Sequence, residues 1–421
     1  MKLFTVAVIG CGSRGFCYGN YMFKKKKNEF KIVAACDVLL EKLQRAEKDW
    51  ELDKNSLFLD EEEFFKEKRA DVLIIATQDR DHVRQCIRAL ELGYDVLLEK
   101  PISPFKDELE RLLDAQEKYG KKVVVCHVLR YAPGFVKVKE VLDSGAIGRL
   151  IRIEGIEQVA YWHQAHSFVR GNWRNEQDTS AMIMQKCCHD LDLLQYYAGA
   201  KCKSVYSVGG LAFFNRENQP VGAADRCADC KLINECAYSA ENVYVGRWKE
   251  MEKPAFRWPF NVVDSTYPNT EEGIRKAYSE NQYGRCVFAC DNNVVDHQAV
   301  MMSFENGVEC TLTMTGFTKE AGRRIVFHGT YGEIELLDDV EKIKISVYGK
   351  DTVTIDLKEL VDITDEFSHG GGDDKLIDSF YDVLTDTVKA ETGLVQSVES
   401  HLIALAAEES RKSGEVIKLH K

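Results

Sequence analysis

No apolar run in these 421 residues approaches the roughly 20 needed to span a bilayer, so the chain carries no membrane-helix signal. It also lacks an excess of positive charge. Lys and Arg number 56 against 68 Asp and Glu, a formal net charge of -12. That balance argues against nucleic acid or an anionic membrane as a partner. The one basic run, Lys24 to Lys27, reads as a solvated loop. No internal repeat and no low-complexity tract occurs. The first apolar segment lacks a small-residue cleavage site, so it does not read as a secretory leader, and a cytoplasmic location is expected. The composition present, 45% hydrophobic and 29% charged, suits a globular protein with large cores, and the length suits two domains. The 14 cysteines need no disulfide framework in a chain this long, and Cys86 and Cys126 fall in apolar contexts typical of buried thiols.

The strongest signal lies in the first forty residues. Leu3 to Ile9 reads as a buried strand and runs into Gly10-Cys11-Gly12-Ser13-Arg14-Gly15; a helix follows, then a second apolar run that ends at Asp37. Strand, Gly-x-Gly-x-x-Gly turn, helix and strand-end acid form a dinucleotide-binding fingerprint. Gly10 permits the tight turn, Gly12 lets backbone approach a pyrophosphate, and Gly15 allows close helix-to-strand packing. The helix N-terminus, with Ser13 and Arg14, offers free N-H groups to phosphates. Asp37 is placed to accept from ribose hydroxyls, which favours NAD over NADP, although a neighbouring basic residue can compensate.

Further strands are expected at Ala70–Thr77, Asp95–Leu98 and Val123–Cys126, with helices at Lys42–Asp49, His82–Leu92 and Pro104–Tyr119. This alternation predicts a doubly wound parallel α/β sheet over residues 1–126. The character then changes. Residues 127–421 are expected to form an α+β domain with a large, mainly antiparallel open sheet and a cysteine-containing insertion near 214–293. Its expected helices are Phe135–Ser144, Ala181–Tyr197, Asp374–Lys389 and Ser397–Ser413. An irregular segment is expected between Trp162 and Ser180.

Glu99-Lys100-Pro101 follows the predicted strand Asp95–Leu98, at the carboxyl end of the sheet where open α/β folds bind ligands. A lysine there can hydrogen-bond a substrate hydroxyl and stabilise a developing alkoxide. On spacing alone it is equally a surface turn. Thr77, Asp79 and His82, near the preceding strand end, are cofactor-side candidates together with Glu99.

Several separate motifs share one resemblance: the glycine turn, Asp37, Ala76-Thr77 with His82, Gly93 to Pro101, Arg130-Tyr131-Ala132-Pro133, Gly145-Ala146-Ile147-Gly148, and the histidine-bearing helix around His189. In order and spacing they resemble the glucose-fructose oxidoreductase, inositol dehydrogenase and MocA family of NAD(P)-dependent sugar and cyclitol dehydrogenases. The resemblance implies a Rossmann domain followed by an α+β domain whose open sheet commonly joins subunits, hence a homodimer or homotetramer. It places Lys100 as the catalytic lysine and His189 as the general acid/base acting on a secondary alcohol. Where the family often has an aspartate four residues before that histidine, Gln185 stands here. Lys186, beside it, is then a further catalytic candidate. Two alternatives accompany this reading: glycoside cleavage through transient oxidation and elimination with retained NAD, and a non-catalytic dinucleotide sensor.

For the substrate, Arg130, Tyr131 and the segment holding Trp162, His163, His166, Arg170 and Trp173 combine aromatic plates with polar donors, a mix that suits a sugar. That segment reads equally as a structured loop. His369, in His369-Gly370-Gly371-Gly372-Asp373, is a further candidate, its glycines allowing close approach to a ligand or serving as a hinge. Finally, Cys227, Cys230 and Cys236 in a C-x2-C-x5-C spacing are expected either to hold a structural zinc, with Cys286 or Cys290 as a further ligand, or to remain free thiols.

Overall fold

The computed structural model describes residues 2–252, 254–266, 268–360 and 369–420. Residues 4–125 build a sheet of six parallel strands. In chain order these elements are β1 (Phe4–Ile9), α1 (Ser13–Lys25), β2 (Phe30–Cys36), α2 (Leu40–Asp49), β3 (Leu57–Phe58), β4 (Val72–Ile75), α3 (His82–Glu91), β5 (Asp95–Leu98), α4 (Lys106–Tyr119) and β6 (Val123–Val125). The strand order is β3-β2-β1-β4-β5-β6, with every pairing parallel. The order reverses at β1, so the crevice beyond the ends of β1 and β4 is the topological switch point. Val72, Leu73, Ile74 and Ile75 are all buried, as a strand covered on both faces requires. Each such side chain contributes about 1.5–3 kcal/mol of transfer free energy.

The second sheet has nine strands. After α5 (Pro133–Asp143) come β7 (Leu150–Gln158), α6 (Cys188–Ala198), β8 (Cys202–Gly210), β9 (His297–Phe304), β10 (Glu309–Thr315), β11 (Gly322–Gly329), β12 (Gly332–Leu337), β13 (Lys342–Val347), β14 (Val353–Asp356), α7 (Gly372–Leu384), α8 (Leu394–Ser413) and β15 (Ile417–Lys418). The order is β14-β13-β12-β11-β7-β10-β9-β8-β15. Only the β10–β7 pairing is parallel. Alternation sets the faces: Val300, Met302, Cys310, Leu312 and Met314 point into the core, whereas Ile156, Val208 and Met301 are exposed on the far side.

The end of the chain joins the two sheets. Phe380 of α7 stacks on Phe30 at 6.4 Å, and Tyr381 meets Phe30 and Phe4 edge-on at 5.7 and 5.9 Å. Val125 of β6 donates its N-H to Thr392 O at 2.8 Å, and Leu394 and Val398 of α8 enter the core of the first sheet. Contacts thus cross the expected division at residue 127.

Two local expectations are corrected. The continuous helix expected from Ala181 breaks into a turn at Met182–Gln185 and α6, with Lys186 and Cys187 at the break. The segment expected to be irregular after Trp162 is wound instead: Gln164–Arg170 is π-helical and all seven residues are buried. It is covered by the insertion, whose own core includes Cys227, Tyr244, Phe260, Ile274, Tyr278 and Tyr283.

Candidate active site

The glycine turn has the geometry its spacing predicts. Gly10 sits at φ +88°, and a Cβ there would lie 2.4 Å from Ala76 O; a Cβ on Gly15 would lie 2.1 Å from Gly10 O. Neither contact tolerates a side chain. A Cβ at Gly12, by contrast, would meet open space. Gly12 is the N-cap of α1, with no side-chain cap and no acid in the first turn. The Ser13 end of α1 therefore keeps amide donors and a positive dipole end for an anion, as a bound pyrophosphate requires. Asp37, buried at the end of β2, accepts from Cys11 N at 2.8 Å and from Leu39 N at 2.9 Å, with Lys42 Nζ 3.7 Å away. A carboxylate has acceptor capacity beyond those two bonds. These residues fit a dinucleotide.

At the ends of β4 and β5 the cofactor-side candidates divide. Thr77 Oγ1 donates to Gln85 Oε1 at 2.6 Å. His82 is buried and its Nδ1 meets Pro101 O at 2.7 Å, so it braces the Glu99-Lys100-Pro101 loop instead of opening onto the crevice. Glu99 accepts from Arg14 Nε at 2.8 Å, from the Tyr18 hydroxyl at 2.6 Å and from Lys100 N at 2.9 Å. Although burial opposes its charge, Arg14 and Lys100 hold its carboxyl below the usual range. Arg14 also pairs with Asp373 at 2.5 Å, a link between the glycine turn and α7 that no local spacing announces.

The opposite wall comes from the region beyond residue 127. Lys100 Nζ donates to Gln185 O at 3.3 Å, and Gln185 Nε2 donates to Asp79 Oδ2 at 2.6 Å. Burial raises the Asp79 pKa. His189, in the first turn of α6, is 7% exposed, and its Nδ1 is buried without a partner. Burial first, then Lys100, His127, His369 and Arg323, hold its pKa well below that of a free histidine. Lys100, just beyond β5, thus reaches the segment that leads into α6, close enough for its charge to act on the His189 imidazole.

Lys186, a catalytic candidate by sequence, is engaged elsewhere. Its Nζ pairs with buried Glu157 at 2.9 Å. Arg323 bridges Glu157 at 3.0 Å and Asp190 at 2.8 Å, closing a cluster of two acids and two bases behind α6. The clue available in sequence was Glu157, an acid at an inward-facing position of a strand.

Several expected substrate contacts are structural. Arg130 is 4% exposed and is held by Asp192 at 2.6 and 2.7 Å and by Glu391 O at 3.0 Å. The Tyr131 hydroxyl, also buried, meets Thr392 at 3.2 Å. His166 is buried, stacked on Tyr283 at 4.8 Å with its Nδ1 3.2 Å from the Tyr244 hydroxyl. Arg170 is fully buried and donates to Arg285 O at 2.7 Å and Tyr238 O at 2.6 Å. Trp173 is half-buried against Phe168 at 6.4 Å. Trp162 and His163 remain partly open, and Lys186 and Lys100 are among the cations that, with burial, lower the His163 pKa. Trp258, from the insertion, packs on both at 5.5 and 4.8 Å; sequence reasoning missed it, because nothing in its neighbourhood points back to residue 163. His369 lies 6.1 Å from His189 between ring centroids.

The zinc expectation is corrected as well. Among the described residues no group of three His, Cys, Asp or Glu side chains is arranged to hold a metal ion. Cys227, Cys230 and Cys236 line a small cavity of about 30 Å³ with Cys286 and Arg170. Cys227 Sγ instead accepts from Ala240 N at 3.3 Å and Arg170 Nη2 at 3.7 Å, and all three are free thiols. Among the described residues no helix is long and apolar enough to cross a membrane.

Residues 4–127 match the family described as "Oxidoreductase family, NAD-binding Rossmann fold", and residues 139–419 match "Oxidoreductase family, C-terminal alpha/beta domain". A putative oxidoreductase, YteT, of Bacillus subtilis (strain 168) is 24% identical over 331 residues, covering 76% of this chain and 74% of that protein. An inositol 2-dehydrogenase of Salmonella typhimurium (strain LT2) is 27% identical over 179 residues, 41% of this chain and 48% of its own, so the chain spans about half the length of that relative. Among solved structures, the scyllo-inositol dehydrogenase of Lactobacillus casei with bound NAD(H) and scyllo-inositol has a TM-score of 0.67 at 15% identity, covering 99% of each chain. That likeness shows a shared fold.

Proposed function

This chain belongs to the oxidoreductase family that takes its name from glucose-fructose oxidoreductase, inositol dehydrogenase and MocA, and from that premise we propose that it oxidises a secondary alcohol of a sugar, glycoside or cyclitol, or reduces the matching ketone, through Lys100 and His189. The observation that carries this reading is the hydrogen bond from Lys100 Nζ to Gln185 O at 3.3 Å, which brings the lysine to the segment leading into α6, where His189 is a buried imidazole held below the usual histidine range.

The glycine turn and the α1 N-terminus hold the pyrophosphate, Asp37 takes the ribose hydroxyls, and exposed Val38 and Leu40 offer an apolar bed for the adenine. NAD+ held there would supply the acceptor for the carbon-bound hydrogen of the alcohol and its electron pair. Lys100 hydrogen-bonds the reacting oxygen and stabilises its negative charge as it develops, an interaction strongest in the transition state. His189 accepts the hydroxyl proton; its depressed pKa keeps it unprotonated and ready at neutral pH. Glu99, braced by Arg14 and Tyr18, fixes the backbone from which Lys100 projects. Gln185 and Asp79 tie the region beyond residue 127 to the first sheet, and Trp162, His163 and Trp258 shape the outer wall against a carbohydrate. The exposed apolar face of the second sheet fits the homo-oligomer that the resemblance implies.

A panel of glucose, galactose, methyl glucosides, myo-inositol and scyllo-inositol, incubated with NAD+ and followed by nicotinamide absorbance, tests the reading. Stoichiometric NADH with one of these alcohols is the expected result. Release of free sugar or methanol from a methyl glucoside with no accumulating NADH would replace oxidation with glycoside cleavage, and no reaction on any member would favour a sensor.

A further inference from the structure

His189 is one of four imidazoles in a row. On its inner side His127 lies 6.0 Å away between ring centroids, and His401 lies 5.8 Å beyond that. His127 is buried with neither ring nitrogen hydrogen-bonded. His401 has both committed: Nε2 accepts from Ile102 N at 2.8 Å, and Nδ1 donates to Ser397 O at 2.7 Å. The inner direction therefore ends in a sealed, saturated ring. On the outer side stands His369, 6.1 Å from His189. Its side chain is 40% exposed and its Nδ1 is 3.0 Å from Asp373 Oδ2.

Around His189 stand Lys100, His127, His369 and Arg323. A proton resting on that buried imidazole is repelled by Lys100 and Arg323. On the inner side the Asp192 carboxylate, 3.7 Å from His127 Nε2, is already paired with Arg130 at 2.6 Å. Around His369 stand Asp373, Arg14 and His189; Arg14 Nη1 is 3.5 Å from its Nδ1. Although burial opposes its charge, Arg14 and His369 keep the Asp373 carboxyl well below the usual range. Asp373 therefore offers a fixed negative charge to an imidazolium at the mouth of the site, where water also solvates it.

We propose that His369, oriented by Asp373, relays the proton taken up by His189 out to solvent. The inference rests on the function proposed above, in which His189 receives the hydroxyl proton. In the balanced step the C–H and O–H bonds of the alcohol break and the C=O bond forms. NAD+ takes the hydrogen with its electron pair, His189 takes the proton, and His369 passes it to water or buffer, which returns both histidines to their neutral forms. A bridging water would carry the proton between rings at this separation.

The test uses the full chain, NAD+ and the best alcohol of the panel, in a weakly buffered and a strongly buffered medium. In weak buffer His369→Ala is expected to lower kcat by about tenfold or more, with KM and NAD affinity unchanged, and added imidazole is expected to restore it. His369→Gln, which fills the same space without a transferable proton, is expected to behave as the alanine variant does. An unchanged kcat overturns the relay, as does a loss that imidazole leaves in place or that glutamine repairs, because either marks His369 as a packing residue. If the wild-type chain oxidises no alcohol, the proposed function falls and the relay with it; if it turns over and His369→Ala is equally fast, the relay alone falls.

Discussion

Arg14 and Arg170 are held in opposite ways, and the contrast separates the working crevice from the insertion that covers it. Arg14 pairs with two carboxylates, Glu99 and Asp373, and keeps 29% of its side chain exposed at the mouth of the site. Arg170 is wholly buried and donates to two main-chain carbonyls and a thiol, with its Nη1 left unpartnered. Arg14 is ion-paired and partly solvated at the crevice; Arg170 is spent on fastening the insertion to the segment beneath it. The crevice should therefore answer to mutation in rate, and the insertion and its neighbours in stability.

The largest separation is expected at His189. His189→Asn should lower kcat by about 10²- to 10⁴-fold, the usual contribution of a positioned general base, while the midpoint of denaturant unfolding changes little; steady-state kinetics beside a urea titration reads both. A fall in stability with kcat preserved would break the contrast. Next comes the buried pair Arg130–Asp192. Asp192→Asn leaves Arg130 without its counter-charge and should cost about 3–5 kcal/mol of unfolding free energy, read by the same titration, with KM for the alcohol unmoved in the folded fraction. Arg170→Met, which leaves the carbonyls of Arg285 and Tyr238 without a donor, should cost about 1–3 kcal/mol and loosen hydrogen exchange within residues 226–290 before it alters turnover.

The smallest effect is on pH. His127 is pushed down to about 4 and His401 to about 3, each mainly by burial. Their unfolded forms bind protons near the ordinary histidine value, so the stability that neutral burial confers is present above about pH 6.5. It is lost as pH falls toward the folded values, by up to about 1.4 kcal/mol per pH unit for each group. Urea midpoints measured between pH 7 and pH 4 should fall steadily, and His401→Gln should flatten the slope. Turnover follows a different group: the oxidation rate should decline only where His189 becomes protonated, well below the usual histidine range.

How far each region could be read from sequence follows the same division. The first sheet was legible because its signals are local: a strand buried on both faces is a continuous apolar run, and the glycine turn, Asp37 and Glu99-Lys100-Pro101 each sit at the end of one. Lys100 and His189 were singled out for that reason and by resemblance. Arg130, His166 and Arg170 were misplaced as substrate contacts because polarity in a loop says nothing about burial. Their partners, Asp192, Tyr244 and Tyr238, lie 62, 78 and 68 residues away. The same distance hid Arg14–Asp373, 359 residues apart, and the pairing of Lys186 with Glu157. A wound, buried segment at Gln164–Arg170 was likewise invisible, since what buries it is an insertion that begins some fifty residues later.

The central claim is that a lysine beside the first sheet and a histidine from the region beyond residue 127 complete a single oxidising site around NAD. Its most direct test is Lys100→Met, with NAD affinity measured by quenching of protein fluorescence and turnover measured as NADH formed on the best alcohol of the panel. The account predicts NAD binding as tight as wild type and turnover lowered by about 10²- to 10³-fold, the usual loss when a donor to a developing oxyanion is removed. Undiminished NADH formation by Lys100→Met would contradict it.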